Sequence, residues 1–232
     1  MSQLDLLVFA AHPDDAEIGM GATIAKHLTA GLRVGICDLT EAELSSNGTP
    51  ALRRAEAVAA SEILGLTLRI NLALPDRGLR CDRKQLDQIA TVIRETRPRL
   101  VFAPYWFDRH PDHVMCSQMV EEAVFNAKLR RYPLAGEAHQ VEQVYYYFIH
   151  ELPQADVVMD VSAEHESKML ALAAYRSQFL HIDELDMVVT PLNQGYLEQV
   201  VERDRLLGRR YGMKFAEGFA SKTAQRRTLF LD

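Results

Sequence analysis

Apolar positions along this chain follow two rhythms that alternate from one segment to the next. Leu6-Leu7-Val8-Phe9-Ala10-Ala11 is an unbroken apolar run, stopped by the polar group His12-Pro13-Asp14-Asp15. A run with no in/out alternation predicts a strand buried on both faces. Beyond Pro13 the period lengthens: Ile18, Ala22, Ala25 and Leu28 recur at helical spacing, with Asp14 or Asp15 at the cap and Glu17 in the first turn. Carboxylates suit that end of a helix dipole.

The same alternation continues for a hundred residues. Leu32–Leu39, Leu66–Leu74 and Arg99–Pro104 predict three more strands. Between and after them, helices are marked by Leu52, Ala55, Val58, Ala59, Ile63 and Leu64, closed by Gly65; by Leu86, Ile89, Ala90 and Ile93; and by Met119, Val120, Ala123 and Val124. Strands separated by helices need right-handed crossovers, which gives a mostly parallel sheet covered on both faces. The second half is less regular. It predicts strands over Val144–Ile149 and Val157–Val161, a helix over Glu164–Tyr175, a turn at Thr190–Gly195 and a long helix over Tyr196–Tyr211. The expected fold class is α/β, doubly wound, with a C-terminal α/β extension. With 232 residues and no repeat, low-complexity segment or linker, one domain over 1–232 is expected.

Composition narrows the function by exclusion. An apolar fraction of 48% and a charged fraction of 25% suit an ordinary globular protein, and a net charge of -6 without any basic run argues against nucleic-acid binding. No apolar run reaches the roughly 20 residues that span a bilayer, and the N-terminus lacks a signal-like pattern, so a cytoplasmic location without membrane contact is expected. Cys37, Cys81 and Cys116 are odd in number and unpaired in spacing, which predicts buried reduced thiols rather than a disulfide or thiolate metal site.

The chemistry lies at the ends of strands. Open parallel sheets bind ligands at their carboxyl edge, and two predicted strands end there in His-Pro-Asp: His12-Pro13-Asp14-Asp15 after the first, and Asp108-Arg109-His110-Pro111-Asp112-His113 after the fourth. One such cluster alone is most simply a helix cap with a surface histidine. Two at one edge can meet and supply the three protein ligands that a catalytic zinc needs, with a position left for water. The intervening Thr40–Pro50 stretch, with Ser45-Ser46-Asn47-Gly48, is long for a connector and predicts a functional loop.

These residues, Ala11-His12-Pro13-Asp14-Asp15-x-Glu17-x-Gly19 together with His110-Pro111-Asp112-His113, closely resemble the LmbE/PIG-L family of zinc-dependent N-deacetylases. Further stretches resemble the branch that makes bacillithiol: Leu44–Thr49, Pro75–Leu79, Tyr175–Phe179 and Ala216–Phe219. The resemblance implies a Rossmann-like fold, an N-acetylglucosamine-containing small molecule as substrate and a homo-oligomer, often hexameric. Carried over position by position, it makes His12, Asp15 and His113 the metal ligands, Asp14 the general base, and His110, paired with Asp112, the electrophile or acid beside the substrate carbonyl. It also assigns substrate contacts to Arg53, Asp76 and Tyr196. Where some relatives carry a basic residue, the loop His139-Gln140-Val141 has Gln140, which leaves His110 or Tyr196 to face the oxyanion.

The expected activity is removal of acetyl from an amino-sugar nitrogen, with N-acetylglucosaminyl malate as the named candidate and other N-acetylglucosamine derivatives as the alternative. Two histidines and a carboxylate also fit ferrous iron, so an iron oxygenase is a competing expectation. A nucleotide-binding module is disfavoured, because Gly19-x-Gly21 leads to Ile24 instead of glycine or alanine and two aspartates occupy the turn.

Overall fold

A computed structural model describes residues 3–180 and 187–224. Seven strands form one sheet in the order β3-β2-β1-β4-β5-β7-β6. The strands are β1 (Leu6–Ala10), β2 (Val34–Thr40), β3 (Leu68–Leu74), β4 (Leu100–Pro104), β5 (Gln143–Tyr147), β6 (Val157–Asp160) and β7 (Ala216–Ala220). The first five are parallel, with Leu6 opposite Val34 on one side and Leu100 on the other. The doubly wound α/β reading is borne out.

Residues of β1 divide between two cores as a strand period of two requires. Leu7 and Phe9 join Ile89, Ile93, Met119 and Val120 on the face covered by α3 (Arg83–Thr96) and α4 (Pro111–Lys128). Leu6, Val8 and Ala10 join Ile24, Ala57 and Leu172 on the opposite face, covered by α1 (Asp15–Thr29), α2 (Pro50–Leu64) and α5 (His165–Ala173). All five residues of β1 are buried. Truncating Phe9 to Ala would cost about 3–5 kcal/mol on this account.

Local chemistry sets the ends of the helices. Thr49 caps α2 by accepting the Leu52 N–H at 3.2 Å, Pro50 fills its first turn, and Gly65 ends it at φ 74°. One helix departs from its periodicity: α1 is broken at Met20, whose φ of −151° is not helical.

The chain differs from expectation in three ways, two of them in its second half. The helix expected over Glu164–Tyr175 stops at Ala173, and a single turn, α6 (Arg176–Phe179), follows. Ala216–Ala220, read from sequence only for its likeness to relatives, is β7, inserted antiparallel between β5 and β6. Cys37 and Cys116 are buried as expected, whereas Cys81 is exposed. The final helix, α7 (Tyr196–Arg210), stands where its periodicity put it. Among the described residues no helix is long and apolar enough to cross a membrane.

Candidate active site

The strand order reverses between β1 and β4: from β1 the chain winds outward through β2 and β3, then returns to place β4 on the other side. At such a switch point the loops leave in opposite directions and open a crevice at the carboxyl edge. His12–Asp15 leaves β1 there and Asp108–His113 leaves β4 there, so the two clusters meet.

Asp15 is the joint between them. Its Oδ1 lies 3.1 Å from His113 Nε2 and its Oδ2 lies 3.3 Å from His12 Nδ1. His12, His110 and His113 can each bring a ring nitrogen within 4.8 Å of the others. The other face of His12, Nε2, meets Asp76 at 3.3 Å and Asp112 at 3.4 Å. Asp14, which caps α1, does not contact these rings but faces Arg53 at 3.1 Å. Its backbone φ of 110° is a conformation that non-glycine residues adopt only under strain.

The second turn is braced by Asp108. Its Oδ1 accepts from His113 Nδ1 at 3.0 Å, from His150 Nδ1 at 2.9 Å and from the His110 backbone N–H at 2.8 Å. A carboxylate behind an imidazole fixes the ring and strengthens it as a ligand through the other nitrogen. His110 caps α4 and its Nδ1 accepts the Asp112 N–H at 3.2 Å, so the neutral ring carries its proton on Nε2.

Electrostatics show what this donor set is suited to hold. Four carboxylates, Asp15, Asp76, Asp108 and Asp112, meet the histidines and Asp14 lies beside them, while Arg53 pairs with Asp14 and Arg77 with Asp112. Burial works against a charged His113, yet Asp15 and Asp108 push it up to about 9. His12 is also held well above its usual range, with hydrogen bonds to Asp112, Asp15 and Asp76 outweighing its burial. Burial would raise Asp15, but His113 and His12 hold it well below the carboxylate range. Protons thus occupy positions that a divalent cation would take over, and the arrangement of two imidazoles and a carboxylate fits one. Asp14 behaves differently: burial, opposed by Arg53 and aided by Asp15, pushes it up to about 7.

The cavity above this cluster has a volume of about 520 Å³, and its wall includes Asp14, Arg53 and the loop residues Ser45, Ser46 and Asn47. A family profile described as PIG-L, GlcNAc-PI de-N-acetylase, matches residues 7–124, the segment that carries both turns.

The chain belongs to the PIG-L family.

Similar proteins agree over greater length. The crystal structure of the conserved protein TT1542 from Thermus thermophilus superposes with a TM-score of 0.89 at 38% identity, over 98% of this chain and 99% of that one. Diacetylchitobiose deacetylase from Thermococcus kodakarensis is 30% identical, over 92% of this chain and 81% of the relative. The probable N-acetyl-alpha-D-glucosaminyl L-malate deacetylase 2 of Bacillus subtilis is 28% identical, over 75% and 82%. This PIG-L member is accordingly an enzyme of the metal-dependent amidohydrolase type.

Within this PIG-L chain, Arg53 is 2% exposed, lines the cavity and also donates to the Pro13 carbonyl, while among the described residues its buried Nε and Nη1 have no hydrogen-bond partner. Asp76 also accepts the Leu44 N–H at 3.0 Å, tying the long loop to the cluster. Asn47 anchors that loop further, through Val188 at 2.8 Å and Gln178 at 3.0 Å. Tyr196 stands behind the cavity, 7% exposed, stacked on Phe179 and pushed up to about 12 by burial; it borders a neighbouring cleft instead.

Two expectations are corrected. The carboxylate of Asp112 does not pair with His110: it accepts from the Arg77 backbone and guanidinium at 3.0 and 2.8 Å and faces His12. His110, left without that carboxylate, is pushed down to about 4, by burial and by the neighbouring His113 and His12. The Gln140 loop lies at the wrong edge: His139 Nε2 bonds the Pro98 carbonyl ahead of β4, at the amino ends of the parallel strands. The group beyond β5 that does reach the cavity is His150. Its place directly after an apolar strand was the available signal, the same one that marked His12.

Proposed function

We propose that this enzyme is a zinc-dependent hydrolase that removes the acetyl group from the nitrogen of an N-acetylglucosamine-containing small molecule, with N-acetylglucosaminyl malate of bacillithiol synthesis as its substrate. The observation that carries the reading is the pairing of a cation-seeking cluster with a buried Asp14 that lines the same cavity outside the cluster, against Arg53. His12, Asp15 and His113 would hold the metal. When bound, zinc supplies a Lewis acid that polarises a carbonyl and lowers the pKa of water to about 7.

The residues of the chain account for the remaining needs of amide hydrolysis. Asp14, with a pKa near the working pH, accepts the proton of the attacking water and returns it to the departing amine. His110, neutral with its proton on Nε2, donates a hydrogen bond to the amide oxygen as negative charge builds there. Arg53, which lines the cavity and pairs with Asp14, would contact the sugar hydroxyls. Asp14 and Asp15 together disfavour a nucleotide pyrophosphate in this turn, and a carboxylate outside the ligand set, available for proton transfer, favours hydrolysis over oxygen chemistry.

The test is acetate release from N-acetylglucosaminyl malate, N-acetylglucosamine and diacetylchitobiose by metal-stripped protein given zinc or ferrous iron. Zinc-dependent release, fastest on the malate glycoside, is expected. Oxygen uptake that needs iron, with no acetate from any of the three, would overturn the reading. Faster release from diacetylchitobiose would retain the deacetylase and reassign its substrate.

A further inference from the structure

The break in α1 is held from outside by charges that the proposed chemistry does not use. In an unbroken helix the Ala22 N–H would bond the Ile18 carbonyl. Here the Ala22 N–H meets Glu217 Oε1 at 3.2 Å, the Thr23 N–H meets Glu217 Oε2 at 2.7 Å, and the Ile18 carbonyl accepts from Arg203 Nη2 at 2.6 Å. A helix end exposed by a kink thus gains a carboxylate on its donors and a guanidinium on its acceptor. Arg203 Nη1 also donates to the Ile149 carbonyl at 2.7 Å, next to His150.

These two brackets are locked to each other. Lys168, fully buried, gives Nζ to Glu217 and to Asp204 at 2.7 Å each, and Asp204 Oδ1 accepts from Arg203 Nε and Nη2 at 3.1 and 3.0 Å. His165 adds a contact to Asp204 at 3.3 Å. Two cations thus balance two carboxylates. The stem of Lys168 lies against Gly21, where a Cβ would come within 3.1 Å of Cγ. A buried ionic group of this kind adds little net stability over apolar residues of similar volume. Its position accounts for it better: three elements from the last third of the chain converge on the one non-helical residue behind the Asp14-Asp15 turn.

We infer that Lys168, Arg203, Asp204 and Glu217 are positioning residues, which fix the short helical turn Asp15–Gly19 and thereby set Asp15 against His113 and Asp14 against Arg53. This rests on the hydrolase reading for its catalytic consequence, while its geometric consequence stands alone. Three amides report the turn: His12 N–H to Asp15 Oδ2 at 2.8 Å, Asp15 N–H to the His12 carbonyl at 3.3 Å, and Ile18 N–H to the Asp14 carbonyl at 2.8 Å.

The experiment uses the full chain with Glu217→Gln, and with Lys168→Met/Glu217→Gln as a second variant that removes one charge of each sign. Amide exchange followed by NMR at His12, Asp15 and Ile18 should quicken about tenfold in both variants, with β2 and α2 unchanged. Zinc affinity by chelator competition should fall about tenfold, and kcat should fall about tenfold with KM within twofold, the low end for groups behind a metal ligand. Unchanged exchange at those three amides, or equal quickening across the sheet, would overturn the inference and leave only a structural role. If the wild-type chain bound no zinc, the hydrolase reading would fail, and the exchange pattern would still decide this one.

Discussion

The two His-Pro-Asp turns share three residues and differ in how the following helix begins. In the first, His12 lies two residues ahead of the N-cap Asp14; in the second, His110 is itself the N-cap and Pro111 opens the helix. That offset decides what each side chain faces. His12 points at Asp15, whereas the ring of His110 caps its own helix through Nδ1 and His113, one turn on, reaches Asp15 in its place. The backbone differs in the same way: Asp14 sits at φ 110°, while His110 has an unstrained φ of −88°. The strained turn is braced by bonds that span 195 and 185 positions of sequence, and the relaxed one by Asp108 within its own loop. The lesson is that a tripeptide carries no fixed role, because helical register assigns it.

The sharpest way to break this contrast is at Asp14. Asp14→Asn keeps the shape of the turn but removes its base, so kcat should fall about a thousandfold while zinc affinity stays within a few fold. A loss of tenfold or less, by initial rates, would place the proton transfers elsewhere. The second turn answers to its own brace: Asp108→Asn should weaken zinc by roughly 10–100-fold in chelator competition, through a loosened His113. Unchanged affinity would show that the bonds of Asp108 do not orient the ligand.

The smallest effect is one of stability. In the metal-free protein His113 binds its proton up to about 9 against an ordinary 6.5, so its stabilising contribution is complete below pH 6.5 and is lost as pH rises through about 9. Asp14 acts in the same sense at lower pH, since its native value of about 7 exceeds the ordinary 3.8 and the folded form holds the extra proton. Metal-free protein should therefore lose about 1–3 kcal/mol between mildly acidic and strongly alkaline pH, visible as a Tm lower by several degrees. Zinc should flatten that dependence because bound ligands have already released their protons. A metal-free Tm that rises over this range would contradict the assignment.

Much of this arrangement was legible in the sequence, for a physical reason. Strands buried on both faces declare themselves as apolar runs, and the rule that ligands gather at their carboxyl ends led to the two His-Pro-Asp turns, while the resemblance to LmbE/PIG-L proteins singled out His12, Asp15 and His113 within them. Asp108 escaped because a brace has no spacing signature. His150 escaped because the site was sought in paired motifs. β7 was hidden because Ala216–Ala220 is short and carries Glu217 and Gly218, residues that depress strand propensity. The break at Met20 was masked because Ile18, Ala22 and Ala25 keep helical spacing across it, although Gly19 and Gly21 on either side weaken a helix. Both misses trace to one buried carboxylate whose partners are distant in sequence.

The central place of β1 has a consequence for how the molecule assembles. Leu6 must find Val34 and, much later in the chain, Leu100. Closing the longer loop costs only about 1 kcal/mol more than the shorter one, since the entropy grows with the logarithm of length. Nonlocal parallel pairing is nevertheless slow. The two ligand-bearing loops are therefore strangers during early folding, and a nascent chain would present His12 and Asp15 to solution well before it could present a complete metal site.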